Sequence, residues 1–284
     1  MTPSEQTTVG RLVDALEARY QPAWAEQWDR VGLVLGEPDA VVRRVLCVVD
    51  VVDETVDEAF EAGADLIVAH HPLLLKGVSS VAPTTSKGRI VHRLIRGGIA
   101  LFTAHTNADA ASPGVSDALA ARLDLRDLRP LAPHPAGPEL GIGRVGTLPS
   151  PRTLREFAAF AAARLPATTW GVRAAGDPDR MIRTVAVCGG AGDSFLPQAA
   201  AAGADAYLTS DLRHHTAGEH LASGGPALLD AAHWATERPW CDDVAAWLRA
   251  GHPVEVIVSD LDTDPWTLHA ASPLSSELKK ESSS

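Results

Sequence analysis

The 284-residue chain has no apolar run approaching the ~20 residues needed to cross a bilayer. Its start lacks a basic segment followed by an apolar stretch, so no signal peptide is expected. Cysteine is scarce: Cys47, Cys188 and Cys241 lie far apart and show no Cys-x-x-Cys spacing. That argues against a disulfide framework and a thiolate zinc site. Two of the three sit in apolar, strand-like runs, where buried thiols are common. Cationic charge is also short, with 25 Lys and Arg against 36 Asp and Glu, a net charge of -11 and a pI near 5.4. A nucleic-acid surface needs clustered cations to neutralise phosphates, and an anionic membrane face wants the same sign, so neither partner is expected. There is no Gly-x-x-x-x-Gly-Lys phosphate loop and no aromatic-rich base-stacking motif. The chain reads as soluble and cytoplasmic.

The chain is 45% apolar, enough for a sizeable core, and long enough for two lobes. Apolar residues at Val9, Leu12, Val13 and Leu16 predict a first helix, capped by Thr7 or Thr8. Residues 28–36 read as a turn and a short strand. Strands follow at 45–49, 66–69 and 99–103, with helices at 53–62, 87–96 and 113–123 between and after them. The Pro-rich stretch 130–138 reads as a linker between a first lobe (1–129) and a second (141–271). In the second half, strands are expected at 145–148, 184–188, 207–209, 227–229 and 254–258, and helices at 153–165, 195–202 and 237–250. The Ser-, Lys- and Glu-rich end, 272–284, reads as a disordered tail. Strands alternating with helices predict an α/β architecture, whose sites lie beyond the carboxyl ends of the strands.

The sequence repeats itself. Gly63-Ala-Asp leads an apolar run into His70-His71, and Gly97-Gly leads another into His105-Thr-Asn-Ala-Asp109. Gly203-Ala-Asp leads a run into Ser210-Asp211, and Gly224-Gly leads one into His233-Trp-Ala-Thr-Glu237. Two related lobes facing a shared cleft would bring these His, Asp and Glu residues together. Each piece has a plainer reading: a hydrogen-bonded histidine pair, a turn residue at Asp109, a glutamate favoured by a helix dipole at Glu237. At matching positions the plain readings lose. Adjacent residues on a strand face opposite ways, so His70 and His71 call for two ions or for a bend at Pro72. Pro113 suggests that 105–109 is a loop. His105 is either a ligand or a group that orients one, and the second role is favoured. Three imidazoles and two carboxylates suit Zn, Fe, Mn, Co or Ni. Five protein ligands exceed one catalytic ion, so two divalent ions are expected, with Glu237 able to bridge.

At these residues the chain resembles the NIF3-like family, the GTP cyclohydrolase 1 type 2 homologues. The matching pieces are Trp28-Asp-Arg-Val-Gly-Leu, Ala69-His-His-Pro-Leu, Thr103-Ala-His-Thr-Asn-Ala-Asp, the His214-His215 pair and Ala232-His-Trp-Ala-Thr-Glu, covering nearly the whole chain. Each is weak alone; their order and spacing together are specific. The resemblance implies a two-lobed α/β fold, a dinuclear metal site on His70, His71, Asp109, His233 and Glu237, and a ring-shaped homohexamer. His105, His214 and His215 are candidates for proton transfer, and Asp211 and Asp29 for substrate contacts. The chain departs from the family pattern at Arg30, where Asn is common, and at Asp211, where Glu is frequent. The extra domain that some relatives insert between the lobes looks absent. The function implied is a metal-dependent hydrolase acting on a nucleotide-like, phosphorylated or cyclic small molecule; the alternative is a non-catalytic metal-binding or regulatory interaction protein.

Overall fold

A computed structural model describes residues 6–270; the expected tail lies outside them. The first half runs α1 (Val9–Arg19), β1 (Gly32–Leu35), β2 (Arg44–Val48), α2 (Asp53–Ala62), β3 (Leu66–Ala69), α3 (Ser86–Gly97), β4 (Ala100–Thr103), α4 (Thr106–Ala110) and α5 (Val115–Arg122). The second half runs β5 (Arg126–His134), β6 (Gly137–Thr153), α6 (Leu154–Arg164), β7 (Val172–Ala175), β8 (Met181–Ala191), α7 (Leu196–Ala201), β9 (Ala206–Ser210), α8 (His214–Ala222), β10 (Ala227–Ala231), α9 (His233–Gly251) and β11 (Glu255–Val258).

Two sheets result, ordered β1-β4-β3-β2-β11 and β5-β6-β8-β9-β10-β7. The repeat is visible in their connectivity. In each, three consecutive strands pair in parallel (β2, β3, β4 and β8, β9, β10), and an antiparallel strand closes the edge beside the third. Alternate residues of the parallel strands fill separate cores: Val45 and Cys47 pack on one face of β2, Leu46 and Val48 on the other. Burial on both faces is what continuous apolar runs such as Leu66–Ala69 encode.

The repeated Gly-Ala-Asp has a mechanical explanation. Gly63, just past α2, has φ of 62°, and Gly203, just past α7, has φ of 71°. Glycine enters this left-handed region without the Cβ penalty. The chain then doubles back, with the Ala64 N–H donating to Ala59 O (2.9 Å) and the Ala204 N–H to Ala199 O (3.3 Å). Asp65 Oδ2 then accepts the N–H groups of Arg43 and Arg44 (2.7 and 3.0 Å), and Asp205 Oδ2 accepts those of Arg183 and Thr184 (2.9 and 2.8 Å). Each carboxylate pins one strand to the start of its neighbour.

Two expectations about organisation change. The stretch 130–138 is not a linker: it lies in the antiparallel hairpin of β5 and β6. Pro130 and Pro133 are tolerated because β5 is an edge strand, which needs donors on one side only. The second half also does not stay in its own lobe. β11 pairs in parallel with β2, and Trp240, Val244 and Leu248 of α9 share a core with Val45, Val68 and Phe102. α9 thus starts at the second sheet and packs on the first. All three thiols are buried and free.

Candidate metal centre

Every group at the site follows the carboxyl end of a strand or begins the helix after it. β3 stops at Ala69, so His70 and His71 lie past the pleat and need not face opposite ways; their ring centroids are 5.0 Å apart. His233 and Glu237 are the first and fifth residues of α9, one turn apart on one face. Residues 106–110 form a short helix rather than the expected loop. Asn107 Oδ1 accepts the His105 N–H (2.9 Å), while Asn107 Nδ2 donates to Tyr20 O (2.7 Å).

Glu237, 3% exposed, stands at the middle. Its Oε1 lies 3.1 Å from His233 Nε2 and 3.5 Å from His70 Nε2, and its Oε2 lies 3.1 Å from His71 Nε2. Asp109 Oδ1 is 3.9 Å from His70 Nε2. All four imidazoles are tied on the opposite side of the ring. His70 Nδ1 faces Ala104 O (2.9 Å), His71 Nδ1 faces Asp50 Oδ1 (2.7 Å), His105 Nδ1 faces Asp29 Oδ1 (2.8 Å) and His233 Nδ1 faces Asp211 Oδ2 (2.6 Å). A carboxylate or carbonyl at Nδ1 fixes the tautomer and leaves Nε2 free to bind.

Electrostatics follow from that packing. Burial acts to lower the histidines, but the Glu237 charge with Asp50 lifts His71 to about 10, and Glu237 with Asp211 lifts His233 to about 11. His70 is raised by Glu237 and Asp109 against the same burial. Burial works to raise Glu237, yet the charges of His71, His233 and His70 hold it well below the ordinary carboxylate range. Asp109 goes the other way, pushed up by burial.

Two atoms test whether this set fits a metal ion. His70 Nε2 and Glu237 Oε2 are buried without a well-formed hydrogen bond, their nearest polar atoms being the opposed charges of Glu237 Oε1 at 3.5 Å and His71 Nε2 at 3.1 Å. Leaving such groups unsatisfied costs free energy, and both belong to the inner ring of donors. One donor atom each from His70, His71 and His105 lie within 4.8 Å of one another, as do those of His71, His233 and Glu237. The mixed N/O set fits a divalent transition ion. Backbone makes room for it. Gly190 has φ of 67°, and a Cβ there would come 2.4 Å from Glu237 Oε1 and 3.1 Å from His233 Nε2.

Several candidates take other places. Asp29 is buried beneath His105, where it also accepts the N–H and hydroxyl of Thr106, instead of meeting a substrate. Asp211 holds His233, and its φ of 58° is unusual for a non-glycine residue. His214 and His215 are exposed at the start of α8, edge to face at 5.1 Å, and neither lines the cavity over Glu237. The turn at Asp211 and the tucked Leu212 carry the chain outward before α8 begins. That cavity, about 400 Å³, is bordered by Trp28, His105, Asp109, Ile142, Phe195 and Glu237. The sequence reading missed Asp50 and Gly190. Asp50 lies two residues past the end of β2, the position rule that found the histidines, and could have been read the same way.

Residues 7–265 match the family model described as Duf34/NIF3 (NGG1p interacting factor 3). A "GTP cyclohydrolase 1 type 2 homolog" of Streptomyces coelicolor is 56% identical over 278 residues, covering 95% of this chain and 98% of that protein. One from Mycobacterium tuberculosis is 38% identical over 367 aligned positions, covering 90% and 96%. Among solved structures, a Bacillus cereus protein related to NIF3 superposes with a TM-score of 0.87 at 25% identity, covering 93% of this chain and all of that one. A Staphylococcus aureus hypothetical protein superposes at 0.84 and 26%, with the same coverage.

Proposed function

Because the chain belongs to the DUF34/NIF3 family, we propose that it is a dinuclear metal-binding hydrolase acting on a nucleotide-like, phosphorylated or cyclic small molecule. The observation that carries the reading is the convergence of Nε2 atoms on one buried carboxylate, with His70 Nε2 and Glu237 Oε2 lacking a well-formed hydrogen bond inside a ring of oriented imidazoles. His70, His71, Asp109, His233 and Glu237 would hold the ions; His71 is common to the two donor groups, and Glu237 stands with it and His233 in the second. When bound, divalent ions supply Lewis acidity near neutral pH. The residues of the chain do the rest. Asp50 and Asp211 orient His71 and His233. Asp29 fixes His105, which borders the cavity and carries a proton between substrate and solvent, as imidazole chemistry allows. Trp28, 55% exposed, and Phe195 give the cavity apolar walls that exclude water from one side of a substrate. A ring-shaped homohexamer, implied by the family resemblance, belongs to the same proposal and is read by sedimentation of the metal-loaded protein.

The test is an activity screen on metal-loaded protein over nucleotides, phosphoesters and cyclic amides, with His71→Ala/Glu237→Ala as control. Turnover abolished by a chelator, restored by metal and absent in the double variant is the expected result. If elemental analysis finds no bound metal after reconstitution, the centre is lost. Bound metal without turnover on any substrate would favour a binding protein, a reading kept in view by the family's description as an interacting factor.

A further inference from the structure

Three aspartates stand behind imidazoles of the centre: Asp29 behind His105, Asp50 behind His71 and Asp211 behind His233. They are not held alike. Asp29 gives Oδ1 to His105, and its Oδ2 accepts the Thr106 hydroxyl. Asp50 repeats the arrangement: Oδ1 meets His71 Nδ1 at 2.7 Å, and Oδ2 accepts the Thr263 hydroxyl. Among the described residues no hydroxyl reaches Asp211. A carboxylate claimed at both oxygens cannot turn without losing a hydrogen bond. Each threonine therefore fixes the plane of a carboxylate and, through it, the ring of one histidine.

The two threonines differ in origin. Thr106 directly follows His105 and opens α4. Thr263 is 213 positions from Asp50, in the irregular segment after β11. That segment is pinned at its start. The Ser259 N–H donates to Cys47 O (2.9 Å) and its hydroxyl to Glu58 Oε2 (2.6 Å). Arg238 Nε donates to Ser259 O and Arg238 Nη2 to Asp260 Oδ1, both at 2.7 Å. Arg238 adjoins Glu237 on α9, so the segment clips α9 to the end of β2, where Asp50 backs His71. Asp260, Leu261 and Asp262, between the Ser259 and Thr263 anchors, are exposed. Little burial holds that stretch down, and its release would leave both sheets intact.

We propose that Thr263 is a positioning residue for the His71 ligand, and that docking of the 259–264 segment and metal binding at His71 form one coupled equilibrium. The proposal rests on the reading of the site as a metal centre and adds the element that regulates it. Docking the segment tightens the ion, and the ion tightens the segment by the same factor, because such coupling is reciprocal.

Zinc competition against a chromogenic chelator, with hydrogen exchange of the peptide spanning 259–266, tests it on the full chain. Thr263→Val keeps the shape of the side chain and loses the hydroxyl; Thr263→Ser keeps the hydroxyl. Losing a group that directly backs a metal ligand costs about 10- to 100-fold, and Thr263 acts one step further out, so Thr263→Val should weaken zinc about fivefold. Thr263→Ser should stay within about twofold of the parent. Zinc should slow exchange of the segment by about the same fivefold in the parent, and leave it unchanged in Thr263→Val. The proposal is overturned if Thr263→Val binds zinc as the parent does, if Thr263→Ser falls as far as Thr263→Val, or if zinc leaves the parent's exchange unchanged. In each of those outcomes the parent still binds zinc, which His71→Ala/Glu237→Ala loses, so the centre stands. A parent that binds no zinc overturns the centre and the coupling together.

Discussion

Gly190→Ala separates the geometry of the centre from the stability of the fold, because a second glycine supplies the control. Gly190 and Gly203 have nearly the same left-handed φ, 67° and 71°. An alanine in that region costs about 1–2 kcal/mol at either position. The surroundings differ. Nothing lies within 4 Å of a Cβ built on Gly203, whereas one on Gly190 stands 2.4 Å from Glu237 Oε1. Ordinary contact begins near 3.4 Å, so the carboxylate oxygen must retreat by about 1 Å (3.4 minus 2.4). The end of a glutamate side chain moves cheaply, so the two variants should lose similar stability in urea unfolding of metal-free protein. Only Gly190→Ala displaces a proposed ligand, away from His70 and His233. Its metal affinity should fall about 10- to 100-fold, the range seen when a ligand's support is disturbed. Competition titration with a chromogenic chelator reads this directly. Unchanged affinity in Gly190→Ala, beside an equal loss of stability in both, would refute Glu237 as the shared ligand.

Three further outcomes are expected. Asp211→Asn keeps a residue tolerant of left-handed backbone but removes the charge at His233 Nδ1, and should weaken metal about 10-fold or more in the same titration; His214→Ala should leave affinity unchanged. In metal-free protein, His71 and His233 titrate above the ordinary imidazole value, at about 10 and about 11. Their stabilising contribution is therefore complete below about pH 6.5 and is lost as pH rises through those values, so the melting temperature in chelator should fall from pH 6.5 to 10. Metal competes for the same nitrogens, so its apparent affinity should rise over that range, with proton release visible by calorimetry in buffers of different ionisation enthalpy. Finally, Arg144, 2% exposed, joins β6 to Asp117 of α5 through Nε and Nη2 (2.8 and 2.7 Å) and to Ala111 O. Arg144→Met leaves that aspartate without its cation and should cost about 3–5 kcal/mol in urea unfolding.

Much of the site was legible because its residues obey a positional rule. His70, His71, His105 and His233 each follow a short apolar run, and such runs end where an α/β sheet opens onto its cleft. Asp50 obeys the same rule, but a single aspartate after Val48-Val49 carries no pattern that distinguishes it from a turn residue. His214 and His215 resemble the first histidine pair in sequence. In the fold an extra turn at Asp211 separates them from their strand and turns them outward. Proline density, as at 130–138, marks both linkers and edge strands, and only pairing tells them apart.

By itself the sequence determined the alternation of strands and helices, the repeated pattern of the two halves and the candidate ligand types, since these depend on local periodicity and on residue chemistry. It also contained the Gly-Ala-Asp signal, whose left-handed glycine and strand-pinning carboxylate are local devices repeated in both halves. Tertiary structure alone decided which carboxylate sits behind which imidazole, and that Gly190 must lack a side chain. It also returned β11 to the first sheet and brought Trp170 to Trp266. Those relations join residues tens to hundreds of positions apart. They exist only after burial has closed the two sheets around α9, and no spacing along the chain encodes them.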